Sequence, residues 1–142
     1  MTDPTWPSDT PGLLTLPSGR TVRGRGMRDP MPTGPPPEFG LYPYGTPPTV
    51  DWPSTWVRWP DFWLPSDRAA FGRAVREVLD LCGTRRVEVA CGGGKGRTGT
   101  TLACLAVLDG VPNDQAVAFV REHYHPHAVE TPWQRRFVRR FR

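Results

Sequence analysis

The run Val87-Glu88-Val89-Ala90-Cys91-Gly92-Gly93-Gly94-Lys95-Gly96-Arg97-Thr98-Gly99-Thr100 constrains this chain more than any other stretch. Alternating valines read as a short strand, a glycine-rich turn follows, and an apolar helix is predicted from about Thr98 to Asp109, stopped by Gly110. Strand, tight loop and helix in that order aim backbone N–H groups and a helix N-terminus at one point, which makes an anion site. Glycines at 92, 93, 94 and 96 let the backbone wrap an anion without Cβ clashes. With 142 residues the chain has the length of one domain and can bury one core. The expected fold is a single α/β domain: a small twisted central sheet with helices on both sides, and the loop at the carboxyl end of the Arg86–Ala90 strand.

The two halves of the chain differ. Fifteen of the 18 prolines fall in residues 1–65. Residues 1–12 read as a flexible tail. Leu13 to Leu16, the turn Pro17-Ser18-Gly19 and Arg20 to Arg23 read as a β-hairpin. Met27 to Pro53 reads as mostly irregular, an extended cover packed through Phe39, Leu41, Tyr42 and Tyr44, and Thr55 to Trp59 as a strand. Residues 13–54 thus read as a hairpin with a Pro-rich cover, and 55–142 as the part that carries the glycine-rich loop. In the second half Ser66 is the expected N-cap of a helix from Asp67 to Cys82, whose apolar face is Phe71, Ala74, Val75, Val78, Leu79 and Cys82, with Gly83 at C′. Pro112 is expected at N1 of a helix running to about Tyr124. A last helix starts near Thr131-Pro132 and carries Trp133, Phe137 and Phe141 inward.

Charge points to an anionic ligand. The net charge is +4. Residues 1–65 hold 5 cations and 6 anions, the remainder 13 and 8, so the excess positive charge lies with the second half. Lys95 is the only lysine. No run of eighteen apolar residues exists, which leaves out a transmembrane helix. Three cysteines, an odd number, with no secretory signal, suit reduced thiols in the cytoplasm. No CxxC is present, and His123, His125 and His127 read as exposed residues after a helix, so no metal or other cofactor is expected. Five of the six tryptophans precede the loop among prolines, a packing pattern rather than a base-stacking one, so no nucleic-acid partner is expected.

Three readings of the loop compete. Gly94, Gly96 and Gly99 spell GxGxxG, but a dinucleotide site needs a second strand with an acidic end some 20 residues on, and helices follow here. A nucleotide P-loop fails because Gly96, not Ser or Thr, follows Gly94-Lys95. The third reading uses every position. A thiolate at Cys91 would sit among the loop N–H groups at the positive end of a helix, which favours the charged form. Arg97 can grip two phosphate oxygens as a planar fork. Thr98 can donate its hydroxyl to the sulfur.

Cys91 to Arg97, with Thr98-Gly99, resembles the CX5R signature of the cysteine-dependent protein tyrosine and dual-specificity phosphatases. Trp59-Pro60-Asp61 resembles that family's WPD loop, which implies that Asp61 is its general acid and then base. Asp67, the competing carboxylate, reads better as a helix N1 residue. Thr131-Pro132-Trp133-Gln134-Arg135-Arg136-Phe137 is similar to the family's Q-loop, which implies that Gln134 places the hydrolytic water; a capping box of Thr131 with Gln134 fits the same residues. The resemblance spans about Trp59 to Phe141 and implies catalysis by Cys91, Asp61, Arg97, Thr98 and Gln134, with substrate held by Gly92, Gly93, Gly94, Lys95, Gly96 and Arg97. It departs at Ala90, where the family carries His. The short length resembles a compact, bacterial-type, dual-specificity-like member. The implied activity is phosphomonoester hydrolysis through a phosphocysteine. The implied substrate is phosphotyrosine or another phosphoprotein residue, or a small phosphomonoester. Lys95 is also similar to the phosphoinositide branch, and a non-catalytic phosphate-binding pseudophosphatase is the rival from another class.

Overall fold

A computed structural model of the protein describes residues 5–142. Its strands are β1 (Leu13–Thr15), β2 (Thr21–Gly26), β3 (Phe39–Tyr44), β4 (Ser54–Arg58) and β5 (Val87–Cys91), and its helices α1 (Arg68–Leu81), α2 (Gly96–Leu108), α3 (Ala116–His123) and α4 (Pro132–Arg140). They form a single α/β domain around one five-stranded mixed sheet in the order β1-β2-β5-β3-β4. The β1–β2 hairpin is antiparallel and every other pair is parallel. β5 is buried along its whole length at the centre, so Cys91 emerges from the carboxyl end of the middle strand. This is where α/β sheets open a crevice for ligands.

The helices gather on one face instead of two. α2 lies against β2, β3 and β5, and each of the other helices touches α2. Together they bury Val87 and Val89 with Phe71, Val75, Val78, Leu102 and Leu105. The opposite face carries Arg23, Arg25, Glu88 and Tyr42 and is closed by two indoles from the proline-rich half. Trp52 Nε1 donates to Tyr42 Oη at 2.6 Å, and the Trp6 ring lies 4.2 Å from the Arg23 guanidinium. Trp6 Nε1 also donates to Val87 O at 2.9 Å. Of the stretch expected to be a flexible tail, residues 1–4 lie outside the described residues, while Trp6 is packed, because its ring buries both its own apolar area and a charged neighbour.

Residues 27–53, expected to be irregular, contain the internal strand β3. Pro43 lacks the N–H that a strand paired on both sides would need. The register resolves the conflict: β3 meets β5 only through Phe39, Gly40 and Leu41, and Pro43 lies past that ladder, opposite Val57 of β4. The missing N–H therefore interrupts nothing on the β5 side.

Two other boundaries move, and one side chain turns outward. Asp67, not Ser66, is the N-cap of α1, with its carboxylate accepting from Ala70 N at 3.0 Å. Ser66 Oγ instead accepts from Arg58 at 2.9 Å. α3 begins at Ala116, four residues beyond Pro112, because the Asn113 amide is turned away to donate to Val138 O and Phe141 O. Trp133 is not inward: it stays exposed and packs edge-on against Trp63. Gly72 lies in the second turn of α1, where glycine costs about 1 kcal/mol relative to alanine. Among the described residues, no helix is long and apolar enough to cross a membrane.

Candidate active site

The loop between β5 and α2 closes on the thiol. Gly94 N donates to Cys91 Sγ at 3.2 Å, and Gly94 holds φ at 74°, the left-handed region. A side chain here would also collide with the backbone of Arg25 and Gly26, so β2 packs directly on the loop. Met27 N donates to Cys91 O at 2.7 Å and Arg28 N to Gly92 O at 3.1 Å, extending that clasp. From the other side Val129 N donates to Lys95 O at 3.1 Å, and Tyr124 Oη donates to Gly94 O at 2.5 Å. Gly24 in β2 leaves the space that the Tyr124 ring fills; a Cβ there would lie 2.5 Å from it. Burial, with smaller contributions from Cys91 and Asp29, holds the Tyr124 phenol well above its ordinary range, so it remains a proton donor to the loop.

Arg97, in the first turn of α2, is 4% exposed. One terminal nitrogen donates to Trp59 O at 3.0 Å, and the other stands 3.4 Å from Asp61 Oδ1. Its guanidinium carbon lies 5.1 Å from the Tyr44 ring centroid. Its Nε is buried with no partner, as is Thr98 Oγ1. Two orphaned buried donors side by side in sequence, at the start of the helix that follows the thiol, are costly unless something is bound there.

Asp61 is carried by a loop pinned at both ends. Trp59 is fully buried, edge-on to Phe71 at 5.3 Å and to Phe137 at 6.2 Å. Its Nε1 donates to Trp63 O at 2.7 Å, closing Trp59–Trp63 into a tight turn. Trp133 Nε1 donates to Phe62 O at 2.6 Å. Phe62 takes φ 62°, and its N–H donates to Asp61 Oδ1 at 3.0 Å. Phe62 and Val129 are the only non-glycine residues with positive φ among those described. One follows Asp61 and the other holds the Lys95 carbonyl, so the strained positions cluster at this site.

The structure thus brings Cys91, Arg97, Asp61 and the backbone of Gly92 to Gly96 together. Thr98 is adjacent and buried, with its hydroxyl free of protein partners. Lys95 is exposed on the loop rim. Gln134 forms the capping box that fits the same residues. It is fully buried, its Oε1 accepts from Glu130 N and Thr131 N, its N–H closes on Thr131 Oγ1, and its Nε2 donates to Trp63 O at 3.3 Å. This is the capping box, with one further bond that ties α4 to the acid loop. Arg28 was missed in the sequence. Its guanidinium lies over Gly92 and 3.8 Å from Asp61 Oδ2. It follows a strand end inside a stretch that reads as irregular, where no spacing singles it out.

Comparison with known proteins places this geometry. A family model described as "Swiss Army Knife protein, DSP-PTPase phosphatase domain" matches residues 61–140, more than half of the chain. Two uncharacterized proteins of Methanocaldococcus jannaschii, MJECL20 and MJ0215, are 54% and 50% identical over 54 residues. That match spans 38% of this chain and about a third of each of theirs, 35% and 33%. Among solved structures, kinase associated phosphatase with its catalytic cysteine substituted by serine superposes with a TM-score of 0.71 at 15% identity, over 95% of this chain and 96% of that one. Tk-PTP in its active form gives 0.58 at 24% identity over 72% and 75%. The core catalytic domain of the Saccharomyces cerevisiae PP-IP phosphatase SIW14 gives 0.58 at 16% over 75% and 68%.

Proposed function

The chain belongs to the DSP-PTPase phosphatase domain family, and from that premise we propose that it hydrolyses phosphomonoesters through a phosphocysteine on Cys91. The observation that carries the reading is the buried, unpartnered Arg97 Nε at the start of the helix that follows the thiol-bearing loop. Paired with the terminal nitrogen that faces Asp61, it forms the two-pronged donor that a phosphate accepts.

In the first step the Cys91 thiolate attacks phosphorus while the ester P–O bond breaks. Asp61, as the carboxylic acid, gives its proton to the departing oxygen. In the second step water attacks phosphorus, Asp61 takes the water proton, the S–P bond breaks and orthophosphate leaves with the thiolate restored. The N–H groups of Gly92 to Gly96 and the Arg97 fork stabilise the equatorial oxygens in both steps. Gln134 serves by holding the acid loop through Trp63 O. A reducing cytoplasm would keep Cys91 as the thiol that this chemistry needs.

The substrate is a phosphotyrosine or another phosphoprotein residue. An inositol phosphate is the second reading, favoured by two exposed cations, Arg28 and Lys95, on opposite sides of the loop. Acid quenching during turnover of a radiolabelled phosphotyrosine peptide, and of a radiolabelled inositol polyphosphate, separates them. Label is expected on the peptide that contains Cys91, and more of it from the phosphotyrosine substrate. Turnover with no label on that cysteine would sink the mechanism.

Asp61→Asn is expected to lower kcat about 10²- to 10³-fold for phenyl phosphate, whose leaving group needs the proton. The loss for p-nitrophenyl phosphate, whose leaving group departs as a stable anion, is expected to be at least tenfold smaller. Equal losses on the two substrates would show that Asp61 acts through loop position and not as the acid.

A further inference from the structure

We propose that the groove between α1 and α4 binds an acidic peptide segment that carries apolar anchors, presented to the catalytic mouth beside it. The groove encloses about 560 Å³. Its rim carries Arg68, Arg73 and Arg76 from α1 and Arg136 and Arg140 from α4, with Arg142 beyond them, and no Asp or Glu side chain lines it among the described residues. None of these five arginines is ion-paired among the described residues, although ion pairs form elsewhere on the molecule, so like charges are held together with nothing to balance them. The floor is apolar: Leu64, Ala69, Phe137 and Phe141.

Gly72 lines the groove on the α1 side. A Cβ at this position would meet only the far end of the Arg76 side chain, at 3.1 Å. α1 thus carries a glycine in the groove lining at a cost in helix propensity, and from this position no side chain projects into the groove. Arg76 folds back over it, donating to Gly72 O at 3.1 Å. The far end of the groove is Trp133, whose indole is bonded to Phe62 O, one residue from Asp61.

This combination selects its occupant by shape and charge. Apolar side chains must reach into a concavity between two helices while anions meet arginines at its edge. A segment that alternates acidic and apolar residues does both. A bilayer surface cannot follow the concavity, and a nucleic-acid backbone has no use for the floor. The proposal rests on the phosphatase reading only for its use, the docking of a phosphoprotein near Asp61; binding itself does not require turnover.

The test uses the full chain and a fluorescein-labelled dodecapeptide in which Glu alternates with Leu and Phe, without phosphate. It should bind about tenfold or more tightly than the same peptide with Gln for Glu, and the preference should shrink as salt is raised. Gly72→Leu, which fills the trough, and Arg73→Gln with Arg140→Gln, which thins the rim, should each weaken binding about tenfold or more while p-nitrophenyl phosphate hydrolysis is unchanged. Equal affinity for the Gln peptide, or undiminished binding by Gly72→Leu, overturns the proposal. So does binding of phosphatidylserine vesicles or single-stranded DNA, lost in Gly72→Leu, without peptide binding. If peptide binding follows these variants but the wild type hydrolyses nothing, the groove stands and the phosphatase reading falls.

Discussion

Serine at Cys91 is expected to lower kcat for p-nitrophenyl phosphate by about 10⁴-fold or more, with chelator present throughout, while binding of orthophosphate or vanadate survives. The substitution exchanges one atom at the centre of the loop and leaves the Gly94 N–H, the Arg97 fork and the helix N-terminus in place. Oxyanion binding should therefore persist, and the melting temperature should change by only a degree or two. What is lost is the nucleophile, because a serine hydroxyl is a far weaker nucleophile than a cysteine sulfur. The other two cysteines provide the control. Burial pushes the Cys82 thiol up to about 11 and the Cys104 thiol well above its ordinary range, so neither supplies a thiolate near neutral pH. Cys82→Ala and Cys104→Ala should keep the full rate per folded molecule. A Cys91→Ser protein that retains a tenth of wild-type turnover would remove Cys91 from the mechanism and leave a phosphate-binding loop whose chemistry lies elsewhere.

The parts of this site that could be read in advance are those whose function depends on neighbours in sequence. Cys91 to Arg97 folds onto itself, and its anion-binding geometry follows from a strand, four glycines and a helix start. Asp61 could be found because Trp59 and Pro60 mark its loop. What could not be read was set by distant packing. Gln134 offered two readings because a capping box and a water-placing role need the same residue types, and its further bond to Trp63 O, 71 residues away in sequence, is one that no local pattern announces. Arg28 reached the site because β2 runs beside β5, a pairing of residues 23–26 with 88–91 that no local pattern announces. β3 was hidden by Pro43, whose effect on a strand depends on which neighbour its edge faces. The one-sided helix layer was missed for a related reason. The second face of the sheet is filled by Trp6 and Trp52, aromatic residues in proline-rich segments that looked like covering chain.

That second face predicts the largest stability effect: Glu88→Gln should cost about 3–5 kcal/mol, a large part of what a domain of this size has. Glu88 is fully buried in the middle of β5, three residues before the thiol. Arg23 binds its Oε1 through two nitrogens at 2.5 and 3.1 Å, Arg25 binds both oxygens at 2.7 and 3.0 Å, and Tyr42 Oη donates to Oε2 at 2.8 Å. Burial alone would raise the Glu88 carboxyl. The hydrogen bonds and charges of Arg25 and Arg23 outweigh it and hold the carboxyl below the usual carboxylate range. Glutamine keeps the shape but removes the charge, and Arg23, 1% exposed under Trp6, is left as an uncompensated buried cation. At about 3–5 °C per kcal/mol, the melting temperature should fall by roughly 10–20 °C. The pH dependence has a definite sign. A carboxyl depressed in the folded state adds stability above its unfolded pKa, and that stability is lost as pH falls through the folded value. Wild type should therefore weaken as pH drops below about 4, and the glutamine variant should lack that part of the loss. Arg23→Met and Arg25→Met with Glu88→Leu, which removes all three charges of the cluster, should recover most of the stability that Glu88→Gln loses. Equal melting curves for wild type and Glu88→Gln, across pH 3 to 7, would mean that β2 and β5 are joined by their backbone ladder alone and that the buried cluster contributes nothing to holding Cys91 in place.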